Sequence, residues 1–154
     1  MLDVKNLILY FTNYWSITPI IGDDPTNNIY ICIDEFNPNN PKYQLVLINT
    51  PARTLFLSPY TVKIEQTIRI ELHVKPTKYD VNTIASFRTD FTNIKEEILR
   101  ILNKYRFEEV GNVLNISGWI DARLPHGFGE QREPLELVSR LNIEIMYYKV
   151  ESSV

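Results

Sequence analysis

The chain has 154 residues but one cysteine, five glycines and two histidines. A single thiol excludes an internal disulfide framework and a thiolate zinc cluster. Cys32 sits among Ile29, Tyr30, Ile31 and Ile33, a strand-like apolar setting. It reads as a small buried hydrophobe, without the basic surroundings that activate a thiolate. Runs of Lys or Arg are also missing, and 19 acidic residues outnumber 16 basic ones for a net charge of −3. That balance disfavours a basic stripe for nucleic-acid phosphates. No apolar run approaches the ~20 residues needed to span a bilayer. Residues 2–15 lack the basic n-region of a signal peptide. The expectation is an intracellular, reducing location, where the sequon Asn115-Ile116-Ser117 is an accident inside a strand.

Reaction chemistry is equally sparse. His73 falls on the polar face of a strand and His126 in a loop, far apart, with scattered carboxylates around them. A metal site needs several ligands in convergent geometry. Asp34 and Glu35 are adjacent, so in a strand they point to opposite faces and form no carboxylate pair. Gly127-Phe128-Gly129 is too short for a phosphate loop, and no Gly-x-Ser-x-Gly occurs. The expectation is a protein without catalytic residues, cofactor or metal.

What is present is periodicity. Hydrophobic residues make up 44% of the chain and charged residues 23%, which fits one globular domain over 1–154. Val4, Leu7, Ile8 and Phe11 share a face at helical spacing, predicting a helix over 2–14. A strand follows over 28–36, apolar on both faces and so expected to be central in its sheet. The proline-punctuated stretch 36–60 reads as a loop or short-strand excursion, with strand candidates at 43–48 and 54–57. Over 60–74, Val62, Ile64, Ile68, Ile70, Leu72 and Val74 alternate with polar residues, and Gln66 alone interrupts the apolar face. Asp80 is placed to cap a long helix over 81–105, whose seam is Ile84, Phe87, Phe91, Ile94, Ile98, Ile101 and Tyr105.

A strand over 112–122 precedes a polar loop over 124–134 and an alternating strand with Leu135, Leu137, Leu141, Ile143, Ile145 and Tyr147 on one face. About fifteen residues at ~3.3 Å reach about 50 Å, against about five or six residues for an ordinary strand. Strands this long suit a sheet that meets neighbours. The fold class is α+β, a mostly antiparallel sheet covered by one long helix and an N-terminal helix. The loop mixes charges, and Arg123, His126, Phe128, Glu130, Arg132 and Glu133 suit an oligomer interface better than a ligand site. Trp119, Tyr147 and Tyr148 read as core or interface residues, since no basic stripe accompanies them.

The layout resembles the tail terminator (tail completion, head–tail joining) proteins of tailed phages and archaeal tailed viruses. The matching pieces are the strand 60–74, the helix 80–105, and 116–148 with Pro125, Gly127, Gly129, Glu130 and Arg132. The segment 37–60 has no counterpart. The resemblance implies a structural protein of the virion, assembled in the host cytoplasm. It implies a homo-oligomeric ring, commonly a hexamer, at the head–tail junction, with the tail tube protein and the head connector as partners. A mildly acidic wall would let genomic DNA pass without specific binding. Another tail-tube or neck subunit is the alternative within the same particle. A small intracellular ligand-binding or enzymatic domain, with its site near Asp121 to Arg132, is the alternative outside it.

Overall fold

Two strands of 14 residues each form the axis of the protein. A computed structural model describes residues 4–24, 27–37, 42–78, 80–108, 113–122 and 136–150. In chain order the elements are α1 (Val4–Tyr14), β1 (Ile29–Ile33), β2 (Tyr43–Asn49), β3 (Arg53–Phe56), β4 (Thr61–Val74), α2 (Val81–Glu108), β5 (Val113–Ile116), β6 (Ile120–Ala122) and β7 (Leu137–Val150). β4 and β7 pair antiparallel over their whole length, from Thr61 opposite Val150 to Val74 opposite Leu137. At ~3.3 Å per residue this ladder is about 46 Å long.

Each long strand carries two short ones end to end on its outer side. β2 and β3 both pair with β4, and β5 and β6 both pair with β7, all antiparallel. β1 joins β2 in parallel, which completes a mixed seven-stranded sheet in an α+β fold. The even positions of β4 from Ile68 to Val74 and the odd positions of β7 from Leu137 to Ile145 face the helices. Ile68, Ile70, Leu72 and Val74 are buried there with Leu141, Ile143 and Ile145. They pack with Val4, Leu7 and Phe11 of α1 and with Phe87, Phe91, Ile94, Ile98 and Ile101 of α2. Each such side chain contributes about 1.5–3 kcal/mol through burial.

α2 starts where its sequence says it should. Asp80 Oδ1 accepts the Thr83 N–H at 2.9 Å, and Oδ2 accepts the Thr83 hydroxyl at 2.7 Å. These bonds satisfy a first-turn donor that the helix cannot pair internally.

β1 corrects the sequence reading. It lies at the edge of the sheet, and the strand buried on both faces is β2, where Tyr43 through Leu47 are all buried. The parallel pairing is the reason. The chain leaving β1 must cross the sheet to enter β2 in the same direction. Phe36 passes over the outer face of β2 to His73 on β4, with ring centroids 4.6 Å apart. Gln44 and Val46 are thereby shielded on the face away from the helices. Asp34 makes the departure with φ of 63°, a conformation Asp tolerates better than most residues. Its Oδ1 accepts the Asn49 N–H at 3.1 Å, so the carboxylate takes the place of the next ladder partner.

Two bulges interrupt the flanking strands. Asn49 pairs with Ile68 and Arg53 with Glu65, so 50–52 oppose only 66 and 67. Ile116 pairs with Ile143 and Ile120 with Arg140, so 117–119 oppose only 141 and 142. The single strand read over 112–122 is therefore β5 and β6 with one extra residue between them. The Asn142 N–H donates to Ser117 Oγ at 2.9 Å and the Ser117 N–H to Asn142 O at 3.0 Å, which stitches the second bulge. A bulge re-aims side chains. Trp119 turns inward and donates its indole N–H to Lys95 O at 3.1 Å, whereas Ile120 turns out to solvent.

Candidate functional site

The loop residues expected to form an interface, Arg123, His126, Phe128, Glu130, Arg132 and Glu133, lie outside the described residues. Its two ends are placed. Ala122 pairs with Val138 across the β6–β7 ladder, so the chain leaves and re-enters the sheet at one point. That point is the end of the long ladder where Val74 meets Leu137. A polar network marks it on the outer face. His73 Nδ1 lies 2.8 Å from Glu136 Oε1 and its Nε2 lies 3.3 Å from Glu71 Oε2. Arg140 Nε is 3.5 Å from the other oxygen of Glu71. A neutral imidazole donates to one of these carboxylates, and an imidazolium donates to both. The network ties β4, β7 and the Phe36 crossover together where the loop departs.

The opposite end of the ladder is chemically different. The helix-backed core reaches Ile68 on β4 and Ile145 on β7. Beyond it, β3, the start of β4 and the end of β7 continue the sheet as an arm, with β5 alongside its base, where Val113 pairs with Met146. The arm exposes large apolar side chains: Phe56 is 79% exposed, Leu57 56%, Tyr60 51% and Tyr148 56%. The turn that carries Leu57 and Tyr60 is ordered by the chain itself. The Leu57 N–H donates to Thr61 O at 3.0 Å, and Ser58 Oγ accepts the Thr61 N–H at 3.0 Å. Several exposed large apolar side chains at one end of a sheet, two of them on a structured turn, are the kind of surface that marks an interaction site.

The arm also holds a groove of about 490 Å³ on the outer face, lined by Pro51, Arg53, Glu65, Thr67, Glu144 and Met146 among others. It lies beside the first bulge, where the sheet bends. Glu65 is paired with Lys63 at 3.1 Å, and Glu144 accepts a hydrogen bond from Asn115 at 3.2 Å. Among the described residues Arg53 forms no ion pair.

Two further concavities sit at the helix side, and both are built as structural joints. In one, of about 330 Å³, the buried Tyr43 donates its hydroxyl to Asp90 at 2.5 Å and stacks on Phe87 with centroids 5.6 Å apart. Burial, then the Asp90 hydrogen bond and charge, push the Tyr43 phenol well above its ordinary value. In the other, of about 240 Å³, Glu97 accepts the Ser16 hydroxyl at 2.8 Å and the Ser16 N–H at 3.1 Å, and pairs with Arg100. Arg100 also donates to Tyr14 O at 2.7 Å, at the C-terminus of α1, where a cation is favoured. Burial opposes the charge on Glu97, but the bonds from Arg100 and Ser16 outweigh it and hold the carboxyl below the usual range. Both groups are moved away from neutrality, whereas acid–base catalysis at neutral pH needs groups tuned toward it.

The sequence reading passed over Glu97, although its signal was there. It falls three residues after Ile94 and four before Ile101, on the apolar seam of α2. A carboxylate on such a seam demands partners. Asp121, near the expected loop, does meet a helix: Lys95 Nζ lies 3.0 Å away and also caps the Phe91 ring at 4.3 Å. Compared with known proteins, the chain matches no family model and no curated sequence.

Proposed function

We propose that this chain is a structural subunit of a tailed virus particle, one that forms a ring closing the tail tube and joining it to the head connector. The observation that carries the reading is the bare arm of the sheet. The last five pairs of a 14-pair ladder, 61–65 with 146–150, extend past the helix-backed core, and this end presents Phe56, Leu57, Tyr60 and Tyr148 to solvent. A private core has no use for that extension, whereas an assembly subunit does. The resemblance of the strand–helix–strand–loop–strand layout to tail terminators supplies the kind of assembly. Titratable groups fixed away from neutrality fit a structural role better than a catalytic one.

Native mass spectrometry of the purified protein, with electron microscopy of the same sample, tests this. The expected result is a closed ring of identical subunits, present once per particle at the head–tail junction. A chain that stays monomeric at high concentration, with no ring of it in the particle, overturns the proposal. Many stacked rings per particle would reassign it to the tube.

A further inference from the structure

We infer that copies of this chain join through the two open edges of the arm, with β5 of one copy pairing to β3 of the next. The inference rests on the ring reading and names the surfaces that build it.

From one edge to the other the strands run β3, β4, β7, β5, with β3 and β5 offset along the sheet so that they share the single row Arg53–Glu65–Met146–Val113, and every neighbouring pair is antiparallel. With an even number of alternating strands, the two outer edges run in opposite directions. A copy placed beside the first in the same orientation, and shifted about 10 Å along the strands to bring the two edges level, therefore presents a β3 antiparallel to the neighbouring β5. That is the better ladder geometry, and it lets one sheet continue into the next. It is also a head-to-tail contact, the type that closes into rings.

Two strand edges are open among the described residues. β1 covers the outer side of β2 from Tyr43 to Leu47 and then departs at Asp34, so it stops short of β3. The edge of β1 itself is blocked at its start. There the Ile29 N–H donates to Ile20 O at 2.8 Å and the Gly22 N–H to Ile29 O at 3.2 Å. β3 pairs only with β4, and β5 only with β7, among the described strands. Along β3 the bonded pair Leu57–Thr61 sets the alternation, so Thr54 and Phe56 turn their N–H groups outward.

Arg53 lies on the β3 edge and Asn115 on the β5 edge, both on the outer face of the sheet, and Glu144 of β7 lies one strand in from β5, bonded to Asn115. Pairing β3 with β5 of another copy brings Arg53 toward Asn115 and Glu144. Pairing β3 with β3, or β5 with β5, sets like against like. Since β3 and β7 run in the same direction, the pairing also brings the tip with Leu57 and Tyr60 beside the exposed Tyr148 of its neighbour.

Thr54→Pro removes one outward N–H and leaves the β3–β4 bonds intact. Arg53→Glu and Glu144→Arg reverse the charges singly, and the double variant exchanges them. Subunit mass is followed against concentration, with circular dichroism and melting of each variant as the check on folding. The expected result is rings for the native chain and folded monomers for Thr54→Pro. Each single reversal should weaken assembly at least tenfold, and the exchange should restore it. Rings from Thr54→Pro and from both single reversals, at native concentrations, overturn this pairing and leave the ring proposal standing. A closed dimer from the native chain overturns it in favour of like-edge pairing. Should Thr54→Pro lose its fold, the charge exchange decides: absence of rescue overturns the inference. A native chain monomeric throughout overturns the ring reading and the inference together.

Discussion

Glu97 of α2 accepts the hydroxyl of Ser16 at 2.8 Å across a sequence separation of 81 residues, and this bond joins the two helices. Glu97 is 4% exposed and also takes the Ser16 N–H and the Arg100 guanidinium. The carboxylate thus ends α1, braces α2 and replaces three hydrogen bonds from water.

Glu97→Gln should cost about 1.5–3 kcal/mol, the range for hydrogen bonds to a charged group. Its effect should depend on pH in a definite direction. The folded-state pKa lies below the unfolded value, so the ionised carboxylate stabilises the native chain above the ordinary glutamate range. That contribution fades as pH falls through the folded-state value. Urea midpoints of native and variant chains should differ at neutral pH and converge in acid. A gap that widened in acid would contradict the assignment.

Tyr43 gives the opposite sign. Its folded pKa is raised, so its contribution is complete below the ordinary tyrosine value and is lost as pH rises above it. Tyr43→Phe should cost about 0.5–1.5 kcal/mol at neutral pH through loss of the Asp90 bond. Melting temperature against pH should fall less steeply on the alkaline side for the variant than for the native chain.

The core and the arm should separate cleanly in mutagenesis. Ile98 is fully buried between helix and sheet, and Ile98→Ala should cost about 2–5 kcal/mol through lost burial and the cavity left behind. Phe56 is 79% exposed, and Phe56→Ser should leave monomer stability within about 0.5 kcal/mol. Denaturant unfolding of both variants, run below the assembly concentration, checks the contrast. A Phe56→Ser loss as large as that of Ile98→Ala would mean the arm is part of the core.

Trp119→Phe should loosen β6 from α2. It keeps a ring at the bulge but removes the indole N–H bond to Lys95 O, worth about 1 kcal/mol. Amide hydrogen exchange should quicken in β6, with the Val4–Tyr14 helix unaffected. Equal quickening in both would place Trp119 in a wider role than this joint.

Local periodicity carried most of the architecture. The seam of α2 from Phe87 to Ile101, the Asp80 cap and the alternation of β4 and β7 all follow from spacing that each element expresses alone. What escaped depends on relations between elements. The parallel edge position of β1 is set by the crossover that Phe36 completes on His73, and five apolar residues cannot announce it. The bulges at 50–52 and 117–119 each insert one residue into an otherwise regular ladder, and only the register with β4 or β7 reveals the insertion. Gln66 was legible as an exception on an apolar face, and it is buried with its amide nitrogen bonded to Asn49. For the functional reading, the expected loop lies outside the described residues, while the arm's exposed Phe56, Leu57 and Tyr60 come from the stretch read as an excursion.

The order of strands in space also dictates an order in time. β7 follows β5 and β6 in the chain, yet it is the strand that separates them from β4. Until β7 has been made and has inserted, β4 has one unpaired side and β5 has no sheet to belong to. Contacts this distant in sequence form late and slowly. A nascent or half-folded subunit therefore has only one of the two arm edges in place, and chains become able to join only after the last strand has closed the sheet.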